Sequence, residues 1–231
     1  MARIALIADL HGNLPAVRAL EDDMKHRALD GCWCLGDLIG KGPSTAECCD
    51  WAREHCDMIL QGNWDSGVSQ RKYPGDQYHW ERLGEERMSF LRSLPQEKRL
   101  WVSGKRIRML HGRPVMEPLR FIQAEDEYFA AFMGELDVLV YADTHRPGTR
   151  LPGTGLQVVN TGSVGNGMGL NMVQYCVMEG EIDSRLPAPL SFSFITVPYD
   201  REAAVRDALE AENMPYRELY IEEIRTGRYC R

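Results

Sequence analysis

The chain has 231 residues, 44% apolar and 26% charged, and its 27 basic against 34 acidic side chains leave a net charge of −7. That size and composition suit one soluble globular domain over residues 1–231, and no apolar run approaches the length a bilayer demands. The acidic balance argues against tight, sequence-independent nucleic-acid binding, which depends on neutralising phosphates, but local charge at a site leaves room for a small phosphorylated substrate.

The first predicted strand, Arg3–Ala8, runs straight into Asp9-Leu10-His11. Its apolar run is short and no small-residue cleavage site follows, so it does not read as a signal peptide, and the expected compartment is the cytoplasm. Asn13 and Pro15 suit the start of a helix carrying Leu14, Val17, Leu20 and Met24 at helical spacing. A second strand, Gly31–Leu35, ends at Gly36-Asp37, and Ser44-x-x-Glu47 has the form of a capping box for a helix to about His55. A third strand, Asp57–Leu60, ends at Gly62-Asn63, and a helix follows over Gln77–Leu94.

Beyond this the pattern turns mostly to strands. Arg99–Val102 and Lys105–Leu110 form a hairpin about Ser103-Gly104. A helix around Glu125–Glu135 precedes the strand Asp137–Ala142. Leu156–Asn160, Met172–Met178 and Phe192–Val197 are further strands, and Arg201–Glu212 is an amphipathic helix. The order βαβαβ, then mostly β, predicts a layered α/β structure with two sheets. The seven cysteines include no CxxC pair, and Cys32 and Cys34 alternate onto one face of a strand, so they read as small buried hydrophobes.

Strand after strand ends in a side chain able to bind a metal: Asp9 and His11, Asp37, Asn63, His111, then Asp143 and His145. Singly, each has a plain explanation. Gly-Asp and Gly-Asn are common turn dipeptides, and a lone histidine is often only hydrogen-bonded. As an ordered set they argue otherwise, because functional groups in open α/β sheets gather at the carboxyl ends of strands. Three of the six histidines stand at such ends. Seven nitrogen and oxygen donors exceed one tetrahedral ion and suit two ions of middling hardness, Mn²⁺, Fe²⁺ or Zn²⁺. Gly12, Gly36, Gly62 and Gly112 adjoin these positions, where the backbone must turn sharply.

Asp9-x-His11, Gly36-Asp37, Gly62-Asn63-x-Asp65, His111-Gly112 and Thr144-His145 resemble the calcineurin-like metallophosphoesterases, and most closely their small bacterial phosphodiesterase branch. Asp9–Asn13, Gly36–Pro43 and Asn160–Gly165 are similar to that branch's signature stretches, so the likeness spans nearly the whole chain. It implies a four-layer αββα sandwich with two central mixed β-sheets flanked by helices. It also implies a dinuclear site in which Asp9, His11 and His145 hold one ion, Asn63, His111 and residue 143 the other, and Asp37 bridges. Paired cations make a bridging water acidic enough to give hydroxide near neutral pH and stabilise the charge of an in-line displacement.

Two positions depart from the family. Asp143 stands where the family offers histidine, and a harder, anionic ligand favours Mn²⁺ or Mg²⁺ over Zn²⁺. Trp64 stands where many relatives carry a histidine able to protonate a leaving group. That loss favours phosphodiesters or activated esters, and Trp64 either stacks on a substrate ring or packs at the rim. Asn63, Trp64, Arg113 and Arg146 are the candidate substrate contacts, with Lys41 nearby. The expected activity is metal-dependent phosphodiester hydrolysis with manganese as the preferred ion. A phosphomonoesterase acting on a nucleotide or phosphoprotein is the alternative within the class. A catalytically impaired metal- or nucleotide-binding regulatory protein is the alternative outside it. A monomer and a small homo-oligomer fit the sequence equally.

Overall fold

The computed structural model describes residues 1–112, 132, 134–152 and 155–230. In chain order, β1 (Ala2–Ile7), α1 (Leu14–Lys25), β2 (Gly31–Cys34), α2 (Thr45–His55) and β3 (Met58–Ile59) form the opening βαβαβ unit. Then come α3 (Asn63–Ser69), a short 3₁₀ turn (Pro74–Asp76), α4 (Gln77–Ser93) and the hairpin β4 (Glu97–Val102) and β5 (Lys105–Leu110). Next are β6 (Val138–Tyr141), β7 (Gly148–Arg150), β8 (Gln157–Asn160), β9 (Val173–Gly180) and β10 (Ser191–Val197). Helices α5 (Arg201–Glu210) and α6 (Arg217–Thr226) close the chain.

Two five-stranded mixed sheets result, ordered β10-β9-β1-β2-β3 and β4-β5-β6-β8-β7. In the first, β1 pairs parallel with β2 and antiparallel with β9. In the second, β6 pairs parallel with both β5 and β8. The strand sequences dictate the layering. In β1, Ile4 and Leu6 enter the core between the sheets, while Ala5 and Ile7 enter the core shared with α1, α2 and α4. β6 repeats this: Val138 and Val140 face inward, Leu139 and Tyr141 the far side. Strands buried on both faces read as unbroken apolar runs rather than alternation, which is why VLVY and IALI are so uniform. The fold is the expected α/β sandwich, with a third apolar cluster on the outer face of the second sheet. The helix expected around Glu125–Glu135 lies almost wholly outside the described residues.

Local expectations fare unevenly. Asn13 caps α1 through its side chain, which accepts from Ala16 N at 3.2 Å. The Ser103-Gly104 turn has positive φ at both residues (51° and 78°), the geometry that matches a hairpin's twist. Cys32 and Cys34 sit together in the helix-side core, and no described cysteine is in a disulfide. The Ser44–Glu47 capping box does not form, since Ser44 makes no side-chain cap bond. Its backbone N–H instead donates to Gly12 O at 2.9 Å and holds the metal-side loop. α4 breaks at Gly84, whose φ of 68° and ψ of 169° are not helical. Among the described residues, α3, the 3₁₀ turn, β7 and α6 escaped the sequence reading.

Candidate metal centre

The ends of β1, β2, β3, β5 and β6 meet at one edge of the sandwich. There, Asp9 Oδ1 lies 3.6 Å from His11 Nε2, 3.3 Å from His145 Nε2 and 3.9 Å from His111 Nε2. Asp37 Oδ2 lies 3.7 Å from His11 Nε2 and 3.4 Å from His111 Nε2. Two groups could each hold an ion: Asp9, His11 and His145, and Asp9, Asp37 and His111. Asp9 is therefore as central as Asp37, whereas the family assignment gives the shared role to Asp37 alone.

Two observations show that this cluster fits divalent cations. Asp9 is fully buried and neither carboxylate oxygen accepts a hydrogen bond. A buried carboxylate without compensation costs several kcal/mol, and a cation supplies that compensation. The histidines give the second. His11 Nδ1 faces Ile39 O at 3.3 Å and His145 Nδ1 faces Asn166 O at 2.8 Å. If both donate there, both Nε2 atoms carry lone pairs, and these face each other at 3.1 Å. The other tautomer only moves the conflict to a carbonyl. An ion between the rings removes it, in the usual arrangement of a metal-binding histidine tied to a carbonyl.

Burial and the neighbouring His145 hold His11 well below its ordinary value. Burial opposes a charge on His111 too, but Asp37, Asp9 and Asp143 outweigh it and raise His111 well above its ordinary value. A cation at this site would compete with protons for the His111 imidazole. Its Nδ1 is tied to Leu35 O at 2.9 Å, and its Nε2 lies 3.1 Å from Asn63 Oδ1 and 3.8 Å from Asp143 Oδ1. Asn63 and Asp143 thus flank the His111 side. Asp143 turns toward the cluster, although it belongs to neither three-ligand group.

The backbone is strained where these side chains are presented. Asp9, His11, Asp37, Asp143 and His145 all have φ between 48° and 61°, a region that non-glycine residues enter at a cost and that clusters at functional sites. Of the four neighbouring glycines, Gly12, Gly36 and Gly112 have positive φ. Gly62 does not, at −89°, but a Cβ on it would collide with Asp37.

Neighbouring loops hold the strain in place. Asp65 accepts backbone N–H bonds from Gly62 (2.9 Å), Asp37 (2.8 Å) and Leu38 (3.0 Å), tying the loop after β2 to α3. Burial and the Asp37 charge push the Asp65 carboxyl up to about 7, against the pull of those donors. Asn160 donates to Ala142 O (2.8 Å) and Thr144 Oγ1 (3.0 Å). Ser163 Oγ and Gly165 N donate to Asp9 O at 3.0 and 2.8 Å. The stretch Asn160–Asn166 therefore clamps the Asp9 and Asp143 loops together.

Trp64 lies across Gly40, where a Cβ would collide with the indole, and meets His11 edge-on at 6.0 Å and His79 at 6.1 Å. Its backbone N–H donates to Asp37 Oδ1 at 2.8 Å. It is a packed wall of the site. Asn63, Trp64 and Arg146 line a cavity of about 850 Å³ beside the cluster, and Arg113 lies outside the described residues.

The sequence reading missed a second tier around Glu223. Lys41, expected near the substrate, is 5% exposed at the side chain and pairs at 2.9 Å with Glu223, 1% exposed. Glu223 also accepts from Asn166 Nδ2 at 2.6 Å and Cys230 N at 3.2 Å. The C-terminal helix is thus linked, through Asn166, to His145. The periodic Tyr220, Ile221 and Ile224 with Gly227 beyond them could have revealed α6. Nothing in the sequence marks Glu223 as a partner of Lys41.

Known proteins share this fold. The structure of a metallophosphoesterase from Sphaerobacter thermophilus is similar with a TM-score of 0.76 at 21% identity, over 98% of this chain and 99% of that one. A hypothetical protein from Pyrococcus horikoshii OT3 gives 0.80 at 20% identity over 100% of both chains. These show a shared fold, C-terminal helices included. In sequence, an uncharacterised protein of Methanocaldococcus jannaschii is 28% identical over 200 residues, 76% of this chain and 82% of that protein. Residues 2–183 match the calcineurin-like phosphoesterase superfamily domain, and the chain belongs to that superfamily.

Proposed function

We propose that this phosphoesterase-superfamily chain hydrolyses phosphodiester bonds at a dinuclear metal site. The orphaned Asp9 carboxylate, buried among three imidazoles, is the observation that carries the reading. Asp9, His11 and His145 would hold one ion. Asn63, His111 and Asp143 would hold the other, with Asp37 and Asp9 between them. Bound cations supply Lewis acidity toward phosphoryl oxygens and an acidified water as nucleophile. The protein's own residues set the geometry. The carbonyls of Ile39, Leu35 and Asn166 fix the rings, and Asp65 ties the Asp37 backbone to that of Gly62, next to Asn63. Manganese is the favoured ion, because Asp143 adds a hard anionic donor on the His111 side.

Trp64 favours diesters. Its indole, packed across Gly40, has an N–H too weakly acidic to protonate an alkoxide leaving group. Asn63, Trp64 and Arg146 are the proposed substrate contacts, with Arg113 expected beside His111. Among the described residues no helix is long and apolar enough to cross a membrane, which is compatible with a cytoplasmic enzyme acting as one unit over 1–231. The test is hydrolysis of bis(p-nitrophenyl) phosphate and p-nitrophenyl phosphate after chelator treatment and reloading. We expect Mn²⁺-dependent activity with the diester preferred. A monoester preference would select the phosphomonoesterase alternative. Two bound ions with no turnover would select the regulatory one.

A further inference from the structure

We propose that the cavity beside the metal cluster holds a subsite for a planar aromatic substituent of the phosphodiester, a nucleobase, built by Tyr73, Tyr216 and Tyr229. The proposal rests on the phosphodiesterase reading and specifies its substrate. The cavity measures about 850 Å³, the size of a site for a nucleotide-scale ligand and far more than a phosphoryl group fills. Candidate ligands line it together with Tyr73, Gly75, Tyr216, Leu219 and Tyr229.

These tyrosines are 54%, 54% and 62% exposed, so large aromatic surface lies open inside a concavity rather than in the core. Such surface marks a binding site more often than a scatter of exposed side chains does. Tyr216 is held at φ 53° at the start of α6, a strained conformation for a bulky residue. Its hydroxyl reaches to 3.4 Å of where a Cβ on Gly75 would stand, so the C-terminal segment closes against the Tyr73 loop. Tyr229 has the Lys41 ammonium 5.3 Å from its ring centroid, which orients it beside the site.

The lining also selects among substituents. Among the described residues its lining is richer in aromatic rings than in aliphatic side chains, which are Met168 and Leu219. Three phenol rings offer flat faces, and base–aromatic stacking is tolerant of base identity. Tyr216, Leu219 and Tyr229 lie beyond residue 183, where the superfamily domain match ends. The subsite therefore belongs to the C-terminal segment rather than to the common domain.

Calorimetry on the Mn²⁺-loaded protein tests this with two ligands that share a phosphorylated ribose and differ only in the base, adenosine 5′-monophosphate and ribose 5-phosphate. The nucleotide should bind about tenfold more tightly or better, as expected for stacking on aromatic side chains. In Tyr216→Leu/Tyr229→Leu, ribose 5-phosphate should bind as before and the gap should shrink to about twofold. Equal binding of the two ligands by the unmodified protein would overturn the subsite, as would a gap the double variant leaves intact or failure of both ligands to bind. Failure of the underlying reading is visible separately, as no metal-dependent hydrolysis of bis(p-nitrophenyl) phosphate, because the affinity gap is read without turnover.

Discussion

Glu223 offers the sharpest stability test, because it joins the C-terminal helix to two parts of the site. Its carboxylate, 1% exposed, meets Lys41 at 2.9 Å and Asn166 at 2.6 Å. Glu223→Gln keeps the shape and one acceptor oxygen but leaves the Lys41 ammonium buried without its carboxylate. Removing one partner of a buried ion pair costs roughly 3–5 kcal/mol. The retained acceptor argues for the lower end, about 3 kcal/mol, or roughly 6–12 °C in melting temperature for a chain this long. Urea unfolding of the metal-free protein should show a lower midpoint at unchanged slope. A loss under about 1 kcal/mol, the value of a surface pair, would refute the reasoning. The double variant Lys41→Met/Glu223→Gln should lose less than the sum of the single changes, since neither charge is then left alone.

The same residue fixes a pH dependence. Burial raises the pKa of Glu223, but Lys41 and Asn166 outweigh it, so the net shift is downward. A group depressed on folding contributes stability that is fully present above its unfolded value, about 4.3, and is lost as pH falls through the folded value. The gap between unmodified protein and Glu223→Gln should therefore be constant near neutrality and narrow below about pH 4.3. Metal affinity gives an independent readout. Asn166 O holds His145 Nδ1 at 2.8 Å, and disturbing such an outer partner typically costs about 10–100-fold in affinity, measurable by chelator competition.

Other substitutions probe the cluster itself. Asp9→Asn should abolish binding of both ions, because it removes the carboxylate shared by the two three-ligand groups; metal analysis still giving two ions per chain would show that Asp9 is not a ligand. Asp143→Asn should weaken the second ion selectively, so metal analysis at limiting Mn²⁺ should fall from two ions per chain toward one. Gly62→Ala should drive the Asp37 carboxylate from its place and cost metal affinity and stability together, read by chelator competition and urea unfolding.

The parts of this fold that were legible in the sequence are those governed by periodicity and by chain order. β1 and β6 read as buried strands because both their faces meet apolar cores, and the candidate ligands were found because each follows such a strand. Helix α3 was missed for a physical reason. Its sequence, NWDSGVS, has poor intrinsic helix propensity, and it is held by Asp65 receiving the Gly62 N–H and by packing of Val68 in the core. The Ser44 capping box failed for the converse reason. The local signal was correct, but a backbone bond to Gly12 outbid it.

The interplay of Glu223, Lys41 and Asn166 lies beyond any local pattern, since 182 and 57 residues separate Glu223 from its partners. Such pairs become visible only once the C-terminal helix is docked, and that docking uses its own apolar cluster of Tyr78, Val205, Tyr220 and Ile224. The consequence is functional. The ligand-bearing strand ends belong to the superfamily domain, whereas part of the cavity wall (Tyr216, Leu219 and Tyr229) and the Glu223 carboxylate that holds Asn166 behind His145 come from residues beyond 183. The chemistry of the site can therefore stay constant while the C-terminal segment changes what it accepts, so the C-terminal helix should govern substrate choice more than the rate of the chemical step.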